Sequence, residues 1–133
     1  HSKRNLKDTF LSNYKNNFAS KDMDWTYEPL DIIKYFNLYN DLMNFWKKIC
    51  GDFIYEVDYE SIVNNNETDI RRLLNFCELD WDENCLQHHK SKETIIKTVS
   101  AYQARKPIYK TSVNSNKHYK QNLEKYFNQL DYK

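Results

Sequence analysis

Three short stretches of this sequence carry side chains whose types could bind a nucleotide or another anionic ligand. The first is RNLKDTFLSNY, in which Arg4 lies where a strand gives way to a helix and Ser12 follows two turns into that helix. A guanidinium offers a planar fork of donors that matches a phosphate, and a serine hydroxyl can donate to the same anion. Taken alone, the spacing favours a surface arginine and a helix serine that share no role.

The other two stretches lie further along the chain. In VDYE, Tyr59 follows a predicted strand, and ligands of open α/β sheets bind at the carboxyl ends of strands. Its ring either lies against a base there or packs under the next helix. The third stretch, TVSAYQARKPIY, suits an anionic ligand or is a solvated basic loop. Its polar candidates, just before a rigid proline, are Ser100, Gln103, Arg105 and Lys106.

Other site chemistries find no support in the residues. The sequence contains no HExxH and no nucleophile elbow, and the side chains of His88 and His89 point about 100° apart on a helix, so they cannot chelate one ion. Outward-facing charges on a half-exposed strand explain Glu56, Asp58 and Glu60 as well as an acid/base pair does. The single glycine, Gly51, excludes a glycine-rich phosphate loop within these residues. We therefore expect no metal site.

Composition narrows the classes of function. The chain has 133 residues, and an aromatic content of 16% predicts that it folds. A net charge of +1 disfavours a general nucleic-acid binder. No apolar run is long enough to span a membrane. The three cysteines form no CxxC pair, which favours reduced thiols and a cytoplasmic location.

The elements that must position these residues are mainly helices. The predicted helices are 7–18 with Asn5 as its cap, 29–49 ending at Gly51 with positive φ, 69–77 capped by Thr68, a short one from Asp82, and 117–130. Residues 53–58 are the one clear strand. Because a lone strand cannot satisfy its backbone, it needs partners, and residues 1–4 are a candidate end of another strand. Residues 91–116 form a long basic segment of weak periodicity.

In this order and spacing, the three stretches resemble the second half of a sulfotransferase that uses 3′-phosphoadenylyl sulfate. RNLKDTFLSNY is similar to the family's 3′-phosphate motif. YEVDYESIVNNNETDIRRLLNFCELDWDENCLQHH resembles the family's strand, Tyr-Glu and leucine-rich helix, and TVSAYQARKPIYKTSV resembles a late segment of the bacterial branch, which is linked to tetratricopeptide repeats and related to protein-tyrosine sulfotransferases.

The resemblance implies a role for each matched residue. Arg4 and Ser12 would hold the 3′-phosphate and Tyr59 would contact the nucleotide. Ser100, Gln103, Arg105 and Lys106 would belong to a loop that closes over it. Two positions depart from the family pattern: Leu6 replaces a proline, and Ser115-Asn116 replace a basic residue and a tryptophan, for which Lys117 is a candidate substitute.

The resemblance further implies that residues 1–133 are a partial domain, the C-terminal portion of a three-layer, P-loop-like α/β fold. The 5′-phosphosulfate loop and the catalytic base would lie in a missing N-terminal half, so this chain alone is expected to be inactive. The parent enzyme would transfer a sulfuryl group to a protein tyrosine, a carbohydrate or a small molecule. Two alternatives remain: an aromatic-rich helical interaction module using Trp25, Trp46 and Trp81, and an RNA-binding protein.

Overall fold

The structure is a computed structural model that describes residues 1–90 and 106–130. The chain divides into two compact units. The first comprises His1–Lys3 and Tyr55–Thr111, and the second comprises Arg4–Ile54 and Ser112–Lys133.

A small parallel sheet lies in the first unit. Strand β1 (Ser2–Lys3) pairs with β2 (Val57–Asp58) in the register Ser2 with Val57 and Lys3 with Asp58. The backbone N–H of Val57 donates to the carbonyl of His1 at 2.9 Å. The expected end of a second strand in residues 1–4 is therefore confirmed. The strand predicted over residues 53–58 is shorter, because Gly51–Phe53 form a 3-10 turn instead.

Two helices follow β2 in the first unit. They are α3 (Tyr59–Asn64) and α4 (Asn66–Phe76). The helix predicted over residues 69–77 with a cap at Thr68 begins earlier in the structure, because α4 begins immediately after Asn65. The Ser61 hydroxyl joins the two helices by donating to the Asp69 carboxylate at 2.5 Å. A 3-10 segment over Glu83–Lys90 replaces the short helix expected from Asp82.

The second unit is built from three helices, which are α1 (Leu6–Lys15), α2 (Pro29–Cys50) and α5 (Lys120–Phe127). Short 3-10 turns over Lys21–Thr26 and Ser115–Tyr119 precede α2 and α5. Asn5 caps α1 as predicted, since its side-chain oxygen accepts from the backbone N–H groups of Lys7 and Asp8 at 3.0 and 3.2 Å. The predicted first and last helices are longer than those observed.

The second unit has its own hydrophobic core, formed where α1, the first half of α2 and α5 pack together. Its buried residues are Phe10, Leu11, Ile32, Ile33, Phe36, Leu123, Phe127 and Leu130. Phe10 is fully buried, and its ring meets that of Phe127 edge-on at a centroid distance of 5.7 Å. The core fixes α1, and with it the N-terminal turn that carries the first sequence motif.

Two further expectations about this unit are corrected. Gly51 has φ −55°, not a positive value, because the chain continues from α2 into a right-handed 3-10 turn. The apolar face predicted along all of α2 is buried only in its first half. Leu38, Leu42, Phe45 and Ile49 are 50–66% exposed among the described residues. Across the described ranges, no helix combines the length and apolar character needed to cross a membrane.

Candidate functional site

Arg4 lies in the chain between β1 and α1, one residue before the Asn5 cap. It is half-buried, and its Nη2 donates to the carbonyl oxygen of Ser112 at 2.9 Å. Ser112 is 108 residues further along, inside the late segment TVSAYQARKPIYKTSV. The structure therefore brings the first stretch together with the end of the third, which the resemblance had treated as parts of one anion site.

A buried carboxylate strengthens this connection. Asp8, in the first turn of α1, has a relative exposure of 1%. Its Oδ2 accepts from the backbone N–H of Asn114 at 2.7 Å. Its Oδ1 accepts from the backbone N–H and the side-chain amide of Asn116, at 2.8 and 2.7 Å, and from the Ser115 hydroxyl at 3.1 Å. Four donors thus converge on one side chain of α1.

The backbone of the 112–116 segment is shaped for this contact. Asn114 adopts the left-handed conformation, with φ 62° and ψ 19°. Asparagine tolerates that region better than most residues. The turn aims two backbone N–H groups, those of Asn114 and Asn116, at the same carboxylate, as in the concave backbone nests that bind anions. In this chain the anion in the nest is the protein's own Asp8.

Asp8 remains ionised in this surrounding. Burial raises the pKa of the carboxyl group, because desolvation disfavours the charged form. The hydrogen bonds from the 112–116 segment act in the opposite direction and together bring the pKa of Asp8 below its ordinary value. Both oxygens of the Asp8 carboxylate are thus held by donors of the 112–116 segment.

Ser12 lies one turn beyond Asp8 on the same face of α1, because positions i and i+4 of a helix are neighbours. It is half-buried, and its hydroxyl has no hydrogen-bond partner in the described ranges 1–90 and 106–130. The N–H groups of Lys7 and Asp8 are already taken by Asn5. An anion at this end of α1 must therefore depend on side chains more than on the helix N-terminus.

The remaining predicted site residues fall in the first unit or outside the described residues. Tyr59 is half-buried and begins α3. Lys106 is exposed, and its carbonyl oxygen lies 3.2 Å from Nε2 of His88. Ser100, Gln103 and Arg105 lie outside the described residues. Of the sequence-predicted site residues, the second unit contains Arg4 and Ser12, and the first unit contains Tyr59 and Lys106.

A cavity of about 180 Å³ lies within the first unit, at the carboxyl end of β2. Its lining residues are Tyr55, Glu56, Val57, Asp58, Ser61, Asp69 and Arg72. Arg72 pairs with Asp69 at 3.5 Å, so three carboxylates face one arginine that is already paired. This balance of charge disfavours a phosphate and leaves Arg4 and Ser12 as the better-supported anion site.

Sequence reasoning missed Asp8 and Asn116. The sequence offered one signal. Asp8 lies midway between Arg4 and Ser12, where the negative charge of the expected phosphate would disfavour an acid. In the structure, the acid accepts hydrogen bonds from Asn116, which lies 108 residues further along the chain. Cys50, Cys77 and Cys85 are free. Over residues 1–90 and 106–130, no group of three or more His, Cys, Asp or Glu side chains is arranged to hold a metal ion.

Comparison with known proteins gives three findings. The model of the sulfotransferase family matches residues 1–83, which include the Arg4–Ser12 motif and Tyr59. An uncharacterized protein of Aquifex aeolicus (strain VF5) is 38% identical over 125 residues, which is 92% of this chain and 16% of that relative's length. No solved structure matches the chain significantly. Because the family model covers more than half of the chain, this protein belongs to the sulfotransferase family.

Proposed function

We propose that this chain supplies the 3′-phosphate and nucleotide contacts of a sulfotransferase whose sulfuryl donor is 3′-phosphoadenylyl sulfate. The observation that carries the proposal is the contact between Arg4 and the carbonyl of Ser112. It joins the motif that resembles the family's 3′-phosphate motif to the late segment that resembles its nucleotide loop. Membership of the sulfotransferase family supports the reaction class.

The residues at this place fit a phosphate. Arg4 supplies a permanent cation with several donors, of which one N–H is directed to Ser112. Ser12 supplies a half-buried hydroxyl. A charge-assisted hydrogen bond from either side chain to a phosphate contributes about 1.5–3 kcal/mol. Tyr59, Ser100, Gln103, Arg105 and Lys106 are the further nucleotide contacts that we propose from the resemblance.

These residues bind and orient the donor and do not perform the transfer. The full reaction moves the sulfuryl group from the donor to an acceptor hydroxyl or phenol, with adenosine 3′,5′-bisphosphate leaving. It requires a base at the acceptor and cations at the leaving phosphate. We propose that residues outside these 133 provide them, in a three-layer P-loop-like α/β domain. The acceptor is a protein tyrosine, a carbohydrate or a small molecule.

Calorimetry with the 133-residue chain tests this proposal. Adenosine 3′,5′-bisphosphate and adenosine 5′-monophosphate differ only in the 3′-phosphate, so the ratio of their dissociation constants measures what that phosphate contributes. We expect tighter binding of the bisphosphate and a loss of about tenfold or more in Arg4→Ala and Ser12→Ala, as removal of one charge-assisted hydrogen bond implies. Adding the labelled sulfuryl donor and a phenol should give no turnover.

Lys34→Ala is the matched control, because Lys34 is an exposed cation of the same unit that pairs with Asp31 across one helical turn. It should leave the affinity for the bisphosphate unchanged. Equal affinity for the two nucleotides in the unmodified chain would contradict the 3′-phosphate site. Efficient turnover by the chain would contradict the assignment of the catalytic groups to other residues.

A second candidate function, a non-enzymatic interaction module, is favoured by the exposed second half of α2. Trp25 stacks on Tyr35 at a centroid distance of 3.9 Å, and Trp81, in the other unit, packs against Arg71. A folded chain that ignores both nucleotides would favour the module over the sulfotransferase.

A further inference from the structure

We propose that Asp8 is a positioning residue for the 3′-phosphate site: by fixing the 112–116 segment it places the Ser112 carbonyl that orients Arg4. This inference rests on the proposed function. It assigns to Asp8 an effect on nucleotide affinity that acts through Arg4, with no contact between the carboxylate and the ligand.

The geometry supports a chain of three contacts. Asp8 is held in α1 by the packing of its neighbours Phe10 and Leu11 in the core, so its carboxylate is a fixed point. Two backbone N–H groups and two side-chain donors of the 112–116 segment bind that point within 3.1 Å. Ser112 lies two residues before the first of these donors, and its carbonyl receives the Arg4 guanidinium.

The contact of Arg4 with Ser112 has a specific consequence. A guanidinium is planar, so one N–H held on a carbonyl restricts the plane in which the remaining donors lie. An arginine that is already restricted loses less side-chain entropy when a phosphate binds. If the 112–116 segment is released, the carbonyl moves and the Arg4 guanidinium loses this restraint. The affinity for the phosphate then falls although Arg4 itself is still present.

The electrostatics of the site support the same role. Asp8 lies three residues after the Asn5 cap. A carboxylate in that position that faced a bound phosphate would weaken the binding of the phosphate. Asp8 instead directs both oxygens into the 112–116 segment and is almost fully buried. Asp8 is accommodated in this position because four hydrogen bonds satisfy its oxygens, and it serves to hold a backbone turn.

A double-mutant cycle tests the inference by calorimetry on the 133-residue chain with adenosine 3′,5′-bisphosphate as the probe. Asp8→Asn keeps the shape of the side chain but removes its negative charge. Its amide N–H₂ group then faces the hydrogen-bond donors of the 112–116 segment. We expect its dissociation constant to rise about tenfold. In the Arg4→Ala background the same change should have less than a twofold effect, because Asp8 acts through Arg4.

Asp41→Asn is the matched control, because Asp41 is an exposed residue of α2 in the same unit. It should bind the bisphosphate like the unmodified chain. If Asp8→Asn fails to fold, Asn116→Ala replaces it, since it removes one of the four donors and keeps the charge of Asp8. We expect a rise of about threefold with Asn116→Ala, again absent in the Arg4→Ala background.

The outcomes separate the inference from the function on which it rests. Additive effects of Asp8→Asn and Arg4→Ala would overturn the positioning role, since a merely structural residue lowers affinity whether or not Arg4 is present. Unchanged affinity in folded Asp8→Asn or Asn116→Ala would overturn it as well. Failure of the unmodified chain to bind the bisphosphate would instead overturn the proposed function, and the inference with it.

Discussion

At the scale of single residues, charge placement explains the site. Arg4 is a cation whose donors are partly engaged by a carbonyl, and Asp8 is an anion whose oxygens are engaged by four donors. The hydrogen-bond partners given for both side chains lie in the 112–116 segment. Arg4 and Asp8 therefore connect the beginning of the sequence to a segment more than 100 residues away. Loss of Asp8 leaves buried donors unsatisfied, which costs more than the hydrogen bonds themselves contribute.

The lowered pKa of Asp8 predicts a pH-dependent stability. Because the folded pKa lies below that of the unfolded chain, about 3.9, the contribution is fully present above about pH 5. It is lost as the pH falls toward the folded pKa. At pH 7, Asp8→Asn should reduce the free energy of unfolding by about 1–3 kcal/mol. Urea titrations at pH 7 and pH 3 should show that difference narrowing in acid, and a wider difference at pH 3 would contradict this account.

At the scale of elements, α1 is the scaffold of the site. Its N-terminus is fixed by Asn5, whose side chain caps two backbone N–H groups. Its inner face is fixed by Phe10 and Leu11 in the core. Asp8 and Ser12 are on the same helix, whose first turn follows Arg4. Any change that frays this first turn therefore displaces the Asp8 carboxylate.

Removal of the cap should therefore weaken the second unit. Asn5→Ala leaves the N–H groups of Lys7 and Asp8 without their side-chain acceptor, and such a loss costs about 1 kcal/mol of stability. Asn44→Ala, on the exposed part of α2, is the control and should be neutral or slightly stabilising, because alanine is the better helix former. Urea denaturation of both variants is the measurement. A greater loss in Asn44→Ala would show that the cap is not what stabilises α1.

Two phenylalanines of the second unit differ in burial and should differ in their contribution to stability. Phe10 is completely buried and Phe53 is 87% exposed among the described residues. Phe10→Ala should cost about 3–5 kcal/mol, because it removes a ring from a packed core. Phe53→Ala should stay within about 0.5 kcal/mol of the unmodified chain. Thermal unfolding followed by circular dichroism measures both, and similar losses would contradict the core described for this unit.

At the scale of the whole molecule, the helices were more predictable than the sheet. Periodicity predicts α1 and α2 because their apolar residues recur every three or four positions, and Pro29 and Asn5 mark their starts. The strand over residues 53–58 was overestimated, because its aromatic and branched residues favour a sheet that only Val57 and Asp58 join. The local pattern of apolar residues also cannot show where along α2 the apolar face ceases to be buried, because burial depends on the packing of distant segments.

The candidate site also divides into a part that local sequence predicts and a part that depends on distant contacts. Arg4 and Ser12 were identified by residue type and by resemblance, and Asn5 by its capping position. The partner of Arg4 is a backbone carbonyl, which carries no sequence signal. Asp8 and Asn116 were missed because their hydrogen bonds join residues 108 apart. The part of the site that depends on long-range contacts was therefore visible only in the folded chain.

The central claim is that this chain recognises the 3′-phosphate of the nucleotide and leaves the 5′ end to other residues. Phosphorus NMR of adenosine 3′,5′-bisphosphate, titrated with the 133-residue chain, observes the two phosphates separately. We predict that the 3′-phosphate resonance shifts and broadens far more than the 5′ resonance, and that Arg4→Ala abolishes the effect. A response confined to the 5′-phosphate, or none at either phosphate, would contradict the claim.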